Sequence, residues 1–467
     1  CDIGVKNGII TSLGRDLAPS ANAKVIYCEG AIVTPGGVDG HVHLAQDRSA
    51  NARSSGYLCA DTIATGTRSA VAGGTTTVLL FAEQSRGDSV ITEVEAYHAL
   101  AKEQGSYSDY GFHVIVTDPT EKVLTEELPW AVEQGLTSIK IYLTYKHRKV
   151  SDSEFLRLLH TARKLGITTM VHAENADLIE FMTEKLESEG LTEPVYHAQS
   201  HPASAEAEAT HRAVVFSTIM DVPILIVHVS IPESTNIIRK AQTKLQPIFA
   251  ETCPQYLMLD EKKLAHEHFE GAKFICSPPP RTDPRDLEAI WQGIINGTFT
   301  IFSSDHCPYR YEGEGGKKQG IVNATNGNPN GMFHHVPNGL PGVETRMPIL
   351  FSEGVLRRRC IDVKRFVELT SENPAKLYGL YPKKGAIQIG SDADLVVWHS
   401  ADKFKPMVLK HARDLHDNCD YSPYEGVEFK SWPKITILRG KVIFKDGKIL
   451  GSQEDGQFVK RGASTLP

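Results

Sequence analysis

The sequence predicts an α/β protein, a (β/α)8 TIM barrel with a β-sandwich domain formed from both chain termini. Apolar runs of strand length alternate with helical patterns between about residues 38 and 370, and hairpin patterns occupy both chain ends. The 467 residues are enough for such a barrel and a second domain. We expect residues 1–35 and 381–450 to build the sandwich, 36–380 the metal-dependent catalytic barrel, and 451–467 a C-terminal tail.

The hairpin patterns connect the two ends of the chain. Asn7-Gly8 stands between apolar runs, which is the strongest short signal of a β-hairpin. Residues 435–448 again show strand, turn and strand, and 392–398 has the pattern of a further strand. We therefore expect one sandwich built from two distant segments, with the barrel inserted between them.

The barrel prediction depends on eight βα units. One strand leads into His41 and His43, and seven further apolar runs lie at 75–81, 111–116, 138–143, 168–172, 224–229, 248–251 and 298–302. Helical periodicity occurs at 151–165, 205–217 and 234–244, with Ser151 and Ser153 as candidate N-caps of the first. Eight units is the number in a TIM barrel. A doubly wound open sheet is the alternative, but no Gly-x-Gly-x-x-Gly motif follows the first strand.

Composition narrows the class of function. The 41% hydrophobic and 23% charged residues are typical of a globular protein, and a net charge of −7 disfavours nucleic acid or an anionic membrane as partner. Eight scattered cysteines without a Cys-x-x-Cys pair predict reduced thiols and a cytoplasmic location. The chain begins at Cys1, without Met and inside a predicted strand, so we expect residues to precede it.

Functional groups in a barrel lie where the strands end, and six such groups stand at five predicted strand ends. They are His41, His43, Lys140, His172, His228 and Asp305. Taken singly, each has a structural explanation: a satisfied core histidine, a salt-bridged lysine or a helix N-cap. Together on one face of the barrel they favour a functional site.

The chemistry of these residues indicates a dinuclear metal centre. Imidazole is a common ligand of divalent cations, and His41 and His43 lie at i and i+2 on one strand face. Two neighbouring cations need a bridging anion, which a neutral lysine provides once it adds carbon dioxide and becomes a carbamate. Burial in an apolar strand lowers the pKa of Lys140 and favours its neutral amine. Asp305 is suited to hold one metal and to transfer the proton of the attacking water.

Eight motifs reveal a resemblance to a known family. They are Gly-Gly-Val-Asp-Gly-His-Val-His at 36–43, Ala-Gly-Gly-Thr-Thr at 72–76, Ile-Lys-Ile-Tyr at 139–142, Val-His-Ala-Glu-Asn at 171–175, Ala-Glu-Thr-Cys-Pro-Gln-Tyr at 250–256, Cys-Ser-Pro-Pro at 276–279, Ser-Asp-His-Cys at 304–307 and Pro-Asn-Gly-Leu-Pro-Gly at 337–342. Over nearly its whole length the chain closely resembles the cyclic amidohydrolases, and within them the dihydropyrimidinase/hydantoinase group.

That resemblance implies two Zn²⁺ ions per chain and a role for each site residue. His41, His43 and Asp305 would hold one metal, and His172 and His228 the other. Lys140, as N6-carboxylysine, would bridge the two ions. Tyr145 would hydrogen-bond the developing oxyanion, while the backbones of Ser277 and Asn338 would hold the amide groups of the ring.

The implied reaction is the hydrolytic opening of 5,6-dihydropyrimidines, such as dihydrouracil and dihydrothymine, and of hydantoins to N-carbamoyl amino acids. Allantoinase is the alternative enzyme, and a dihydropyrimidinase-like scaffold is the non-catalytic alternative. Such scaffolds, the collapsin response mediator proteins, lack metal ligands, whereas all six ligand positions are filled here. Dihydroorotases usually carry an arginine two residues beyond the second histidine, where this chain has Ala45.

Three further expectations follow. Residues 45–55 are more polar than the corresponding loop of the group and are expected near the exocyclic substituent of the ring. Residues 309–341 are rich in Gly and Asn and are expected to form a long loop over the C-terminal face of the barrel. A homotetramer is expected from the resemblance and from the aromatic-bearing arm 408–467, which exceeds what one sandwich needs and is expected to expose apolar surface.

Overall fold

The computed structural model describes residues 1–46, 56–281, 283–324, 331–400 and 403–466. Its central element is a sheet of eight strands in which every paired neighbour runs parallel. In chain order the strands are Gly37–Asp39, Thr75–Glu83, Asp109–Ile115, Ser138–Tyr142, Thr168–His172, Ile224–Ile226, Ile248–Thr252 and Ile301–Phe302. The prediction of eight barrel strands in this order is confirmed.

The first and last strands meet just beyond their ends. Val42 and His306 form a parallel β-bridge, and the backbone N–H of His43 donates to the carbonyl of His306 at 2.7 Å. These contacts close the sheet into a barrel at the edge where the strands end. The sixth and eighth strands are shorter than the apolar runs at 224–229 and 298–302, because the backbone leaves the ladder before those runs are complete.

Helices follow most of the strands and cover the outside of the barrel. The α-helices are Ile63–Ala72, Val90–Gln104, Leu128–Glu133, Asp152–Leu165, Ala176–Ser188, His197–Ser200, Ala203–Met220, Pro232–Thr243, Gln255–Met258, Pro284–Ile295, Gln319–Val322, Arg346–Leu350, Val363–Val367, Asn373–Leu377 and His411–Asp414. Within the described residues, the π-helical turns Val123–Glu127, Phe351–Arg357 and Glu368–Glu372 extend helices of this set. The described part of the chain also contains the 3₁₀ turns Pro194–Tyr196, Glu261–Ala265, Glu270–Phe274 and Phe333–His335.

The helix Asp152–Leu165 illustrates why these segments form. Ser151 is its N-cap, and Glu154 completes a capping box by accepting the backbone N–H of Ser151. The helix buries Phe155 and three further apolar residues on one face, Leu158, Leu159 and Ala162. The cap is therefore Ser151 rather than Ser153, which lies within the first turn.

A five-stranded antiparallel sheet joins both ends of the chain. Its order is Lys448–Ile449, Lys441–Lys445, Pro433–Leu438, Leu395–Trp398 and Val33–Pro35. The hairpin Asp2–Lys6 and Ile9–Gly14 packs against it through Ile10, with positive φ at Asn7 (+52°) and Gly8 (+79°) as a type I′ turn requires. A small pair, Met407–Val408 with Glu428–Phe429, completes the strands. The predicted fold class is confirmed.

A buried lysine ties this β-domain to the barrel. The Lys384 ammonium lies 2.5 Å from Asp109 at the start of the third barrel strand, 2.8 Å from Asp392 and 2.7 Å from Asp394. Arg439 makes a further ion pair with Asp109. Although burial opposes its charge, the three carboxylates raise the pKa of Lys384. The cation therefore stays charged and holds the two structural units together.

The C-terminal arm is packed within the chain. Its large aromatic residues Tyr424, Phe429, Trp432 and Phe444 are buried, and residues 457–462 run along the strand starts of the barrel. These side chains therefore do not provide the exposed apolar surface from which a tetramer was expected, and the oligomeric state stays a prediction. Among the described residues, no helix combines the length and the apolar character needed to cross a bilayer.

Candidate active site

All nine residues predicted for the site line one cavity at the C-terminal ends of the strands. The cavity has a volume of about 370 Å³, which is suitable for a small ring-shaped molecule. The nine are His41, His43, Lys140, Tyr145, His172, His228, Ser277, Asp305 and Asn338. The nine residues come from seven different strand ends or loops, so only the folded barrel brings them together.

The first group of possible ligands is built around Asp305. One carboxylate oxygen, Oδ1, lies 3.2 Å from Nε2 of His41 and 3.3 Å from Nε2 of His43. Gly40 before this pair has no room for a side chain, because a Cβ there would lie 2.3 Å from the ring of Tyr378. The glycine in the motif thus lets the chain carrying both histidines pass close to the barrel core.

The second group is formed by His172 and His228. Nδ1 of His172 lies 3.0 Å from Nε2 of His228, and both rings are buried. The ring centroids of His41 and His228 are 5.7 Å apart, so the two groups are neighbours. Burial lowers the pKa of His41, His172 and His228, which favours the neutral imidazole that binds a metal.

Three side chains orient these imidazoles, and sequence reasoning assigned none of them a role. Glu251 lies 2.7 Å from Nδ1 of His41, Gln46 lies 2.7 Å from Nδ1 of His43, and Glu174 lies 2.7 Å from Nε2 of His172. In each ring the other nitrogen is left to face the cavity. Glu174 and Glu251 stand at strand ends inside recognised motifs, and an acidic residue at such a place is the signal that could have identified them.

Lys140 lies next to His41 of the first group and close enough to His172 and His228 to act on their pKa. Its side chain is 1% exposed, and its Nζ is 3.2 Å from Nε2 of His41. Burial lowers the pKa of Lys140 to about 8, despite the opposing effects of Asp305 and Glu251. Roughly a tenth of the amine is therefore neutral at pH 7, and this is the form that the carbamate hypothesis requires.

The donor set fits a pair of divalent cations. Four imidazole nitrogens, one carboxylate and one lysine converge, and each of three imidazoles is oriented by a hydrogen bond at its other nitrogen. The fourth, His228, leaves its buried Nδ1 without a hydrogen-bond partner in the described part of the chain, while its backbone N–H donates to Glu251. Ligand atoms of His41, His43 and Asp305 lie within 4.8 Å of one another, which is close enough for them to hold one ion.

Three of the site residues have a backbone conformation that side chains rarely adopt. The φ angles of Tyr145, His228 and Asp305 are +60°, +37° and +47°. Such strain is tolerated where the surroundings hold it and is common at functional sites. Here it turns each side chain into the cavity just after its strand has ended.

The residues predicted to contact the ring line the same cavity, and the ring centroid of Tyr145 lies 5.5 Å from that of His172. Tyr145 is buried, which raises the pKa of its hydroxyl and keeps it a proton donor, and Ser277 hydrogen-bonds both to it and, at 2.5 Å, to Glu174. Within the described residues, the backbone amide groups of Ser277 and Asn338 form no hydrogen bond to another protein group. These groups are therefore available to a ligand.

The outer wall of the cavity is polar. It includes Tyr57, Lys146, His147, Tyr309 and His334. Of the predicted polar loop 45–55, residues 47–55 lie outside the described residues. The segment 309–341 does border the cavity, but its described part contains the short helix Gln319–Val322 and a 3₁₀ turn rather than loop alone.

The amidohydrolase family model matches residues 32–443, which is most of the chain. The chain belongs to the amidohydrolase family. The matched range includes the whole barrel and most of the β-domain, in agreement with the resemblance found in the sequence motifs.

Individual relatives of this amidohydrolase are similar over their full length. A D-hydantoinase from Rhizobium radiobacter and another from Ralstonia pickettii are each 40% identical over 461 residues, which is 98% of this chain and 95% of each relative. The solved structure of a dihydropyrimidinase from Brevibacillus agri NCHU1002 is 35% identical and has a TM-score of 0.91, with 99% of this chain and 95% of that chain covered.

Proposed function

We propose that this amidohydrolase opens cyclic amide rings, converting 5,6-dihydropyrimidines and hydantoins to N-carbamoyl amino acids. The observation that carries the proposal is the convergence of His41, His43, Lys140, His172, His228 and Asp305 at one end of the barrel. Relatives at 40% identity named D-hydantoinase, and a dihydropyrimidinase of the same fold, support this class of substrate.

The site residues would hold two zinc ions. His41, His43 and Asp305 would hold one ion, His172 and His228 the other, and Lys140, as N6-carboxylysine, would supply the anionic ligand that both share. When bound, the cations would supply Lewis acidity, which lowers the pKa of water and polarises a carbonyl oxygen. The support is the set of oriented, neutral imidazoles around a lysine with a lowered pKa.

Asp305 is the group suited to move the proton. The imidazoles of His41 and His43 lower its pKa although burial opposes this, so it enters the reaction as a carboxylate. It can accept the proton of the attacking water and then donate it to the leaving ring nitrogen. The hydroxyl of Tyr145 faces the same cavity and can donate to the carbonyl oxygen as negative charge develops.

Ser277 and Asn338 would recognise the ring through their backbones. The amide edge of a dihydropyrimidine or hydantoin offers a donor and an acceptor, which backbone C=O and N–H groups complement. Such contacts do not depend on the ring substituent. The remaining groups of the outer wall, which are polar, are then left to select among substituted rings.

A substrate panel tests the proposal. The purified protein, loaded with Zn²⁺ in the presence of bicarbonate, is assayed on dihydrouracil, dihydrothymine, hydantoin, 5-substituted hydantoins and allantoin, with N-carbamoyl product as the readout. We expect turnover of dihydropyrimidines or hydantoins. Turnover of allantoin alone would assign the protein as an allantoinase, and no turnover with two bound metals would make it a scaffold.

We also propose a homotetramer working in the cytoplasm. The tetramer is supported by the family resemblance and the location by the scattered, unpaired cysteines, since all eight described thiols are free. Light scattering at micromolar concentration tests the first proposal, and a stable monomer would refute it.

A further inference from the structure

A third buried lysine, Lys317, lies behind the wall of the cavity and has no place in the chemistry above. Its side chain is 0% exposed although it belongs to the Gly-rich segment 309–341. The ammonium donates to two backbone carbonyls, that of Ile275 at 2.8 Å and that of Pro337 at 3.0 Å. It thereby joins two chain segments that are 62 residues apart in sequence.

Those two segments carry the proposed ring contacts. Ile275 precedes Ser277 by two residues, and Pro337 directly precedes Asn338. The carbonyl of Ile275 also accepts the backbone N–H of Gly339 at 3.2 Å, so a second, weaker bond spans the same gap. Lys317 itself is fixed by its backbone N–H, which donates to Arg310 at 2.8 Å.

The Lys317 side chain lacks the usual counter-ion of a buried lysine, and burial lowers its pKa to about 7, so its amino group is held by the two hydrogen bonds rather than by an ion pair. Among the described residues, the titratable groups that act on it are the thiols of Cys276, Cys307 and Cys419, which burial keeps neutral, and no ion pair with a carboxylate is found. Burying an ammonium in this way is costly unless its hydrogen bonds are needed. Proteins commonly keep such an unfavourable buried group where it maintains the geometry of a functional site.

We propose that Lys317 is a positioning residue that sets the spacing between Ser277 and Asn338 and thereby the affinity of the site for the ring. The inference depends on the proposed function, because it assumes that these two backbones contact the substrate. Without the ammonium, the Pro337–Asn338 backbone is free to move from the Ile275 carbonyl, and one ring contact weakens. The backbones of Ser277 and Asn338 would hold the ring in the substrate complex and in the transition state alike, so KM rises and kcat stays near its original value.

The neighbouring lysine provides a matched control. Lys318 is adjacent in sequence but lies at the surface, where it pairs with Glu312 at 2.5 Å and lies over the ring of Tyr311. Lys318→Met makes the same substitution in the same segment without touching the carbonyl of Ile275 or that of Pro337. Its KM should match that of the wild type.

The test compares Lys317→Met, Lys317→Gln and Lys318→Met with the wild type on the ring substrate that the panel identifies. We expect KM to rise about tenfold or more in Lys317→Met and by an intermediate factor in Lys317→Gln, which keeps two N–H donors on a shorter side chain. kcat should stay within about threefold and metal content per chain should not change. If Lys317→Met yields no folded protein, the inference is tested with Lys317→Gln alone. In that variant we expect KM to rise at least about threefold.

A KM within twofold of the wild type in the deciding variant overturns the inference. So does a fall in kcat and in thermal stability at unchanged KM, which is the result of a purely structural role. A wild type that opens no ring at all would refute the proposed function instead, before any Lys317 variant is measured. The two failures are therefore distinguishable.

Discussion

Nδ1 of His172 lies 3.0 Å from Nε2 of His228, while the other nitrogen of His172 is held by Glu174. A hydrogen bond at one ring nitrogen fixes which nitrogen carries the proton. The carboxylate therefore leaves the cavity-facing Nδ1 as an acceptor, which is the form that a cation requires. The same logic applies to His41, whose Nδ1 is held by Glu251.

Glu251→Gln should weaken metal binding by roughly 10–100-fold, since the carboxylate that orients His41 is lost. Metal retained per chain after dialysis against a chelator measures the effect. Glu344→Gln is the matched control, because Glu344 is a second buried carboxylate paired with a histidine, His416, at 2.9 Å, but lies outside the cavity lining. Equal metal retention in both variants would contradict the orienting role of Glu251.

Lys140→Ala should bind well under two metals per chain and be inactive, because the shared anionic ligand is gone and two close cations repel. The fold should persist. Adding a short carboxylate such as acetate or propionate should restore part of the metal and part of the activity. Lys140→Arg should not, since a guanidinium stays charged and takes up no carbon dioxide. Lys146→Ala, at the exposed rim, should keep both metals; two tightly held metals in Lys140→Ala would refute the bridge.

Asp305→Asn should retain most metal binding while kcat falls by about 10²–10⁴-fold. The amide oxygen can still occupy the ligand position, but the side chain cannot accept a proton at neutral pH. Parallel measurement of metal content and turnover separates the two roles. Near-normal turnover would show that another group accepts the proton.

Tyr145→Phe should lower kcat by about 10²–10³-fold, which is the usual effect of removing one donor to a developing oxyanion. Tyr110→Phe controls for the loss of a hydroxyl, because Tyr110 lies at the opposite end of the barrel beside Phe458. If both variants turn over like the wild type, Tyr145 only packs in the cavity wall.

Lys384→Met should destabilise the protein by about 3–5 kcal/mol, since three buried carboxylates lose their common cation. Urea unfolding measures the change in free energy. Lys146→Met, which breaks an exposed pair with Glu180 at 2.7 Å, should cost less than about 1 kcal/mol. A loss of similar size in both variants would mean that Lys384 is not the joint between barrel and β-domain.

The sequence predicts those parts of the molecule that depend on local pattern. The pair His41 and His43 is recognisable because a strand has a period of two, and the hairpin at Asn7-Gly8 because only certain residues adopt its positive φ angles. Lys317 could not be recognised, since its neighbour Lys318 has the same local sequence but lies at the surface. Which of the two is buried is decided by carbonyls at Ile275 and Pro337, and thus by the tertiary fold.

The same dependence on the tertiary fold explains why some predictions from the sequence need revision. The aromatic residues of the C-terminal arm were expected at a subunit interface, but Tyr424 and Trp432 are buried against the chain's own core. The sixth strand ends at Ile226, two residues before His228, because a residue with a φ of +37° cannot continue a ladder. The apolar character of a segment does not show whether its side chains are buried within the chain, nor where a strand ends.

The pairing of Val33–Pro35 with Leu395–Trp398 also orders events during synthesis. The first of these strands leaves the ribosome about 360 residues before its partner, which corresponds to roughly 20–70 s at 5–20 residues per second. Throughout that time the N-terminal hairpin and the edge of Val33–Pro35 have no sheet to join, and unpaired edges are prone to pair with other chains. Newly made chains of this protein should therefore depend on chaperones until translation is nearly complete. A shortened C-terminus would remove the partner of Val33–Pro35, so it should lower the yield of folded protein even if the barrel itself is left intact.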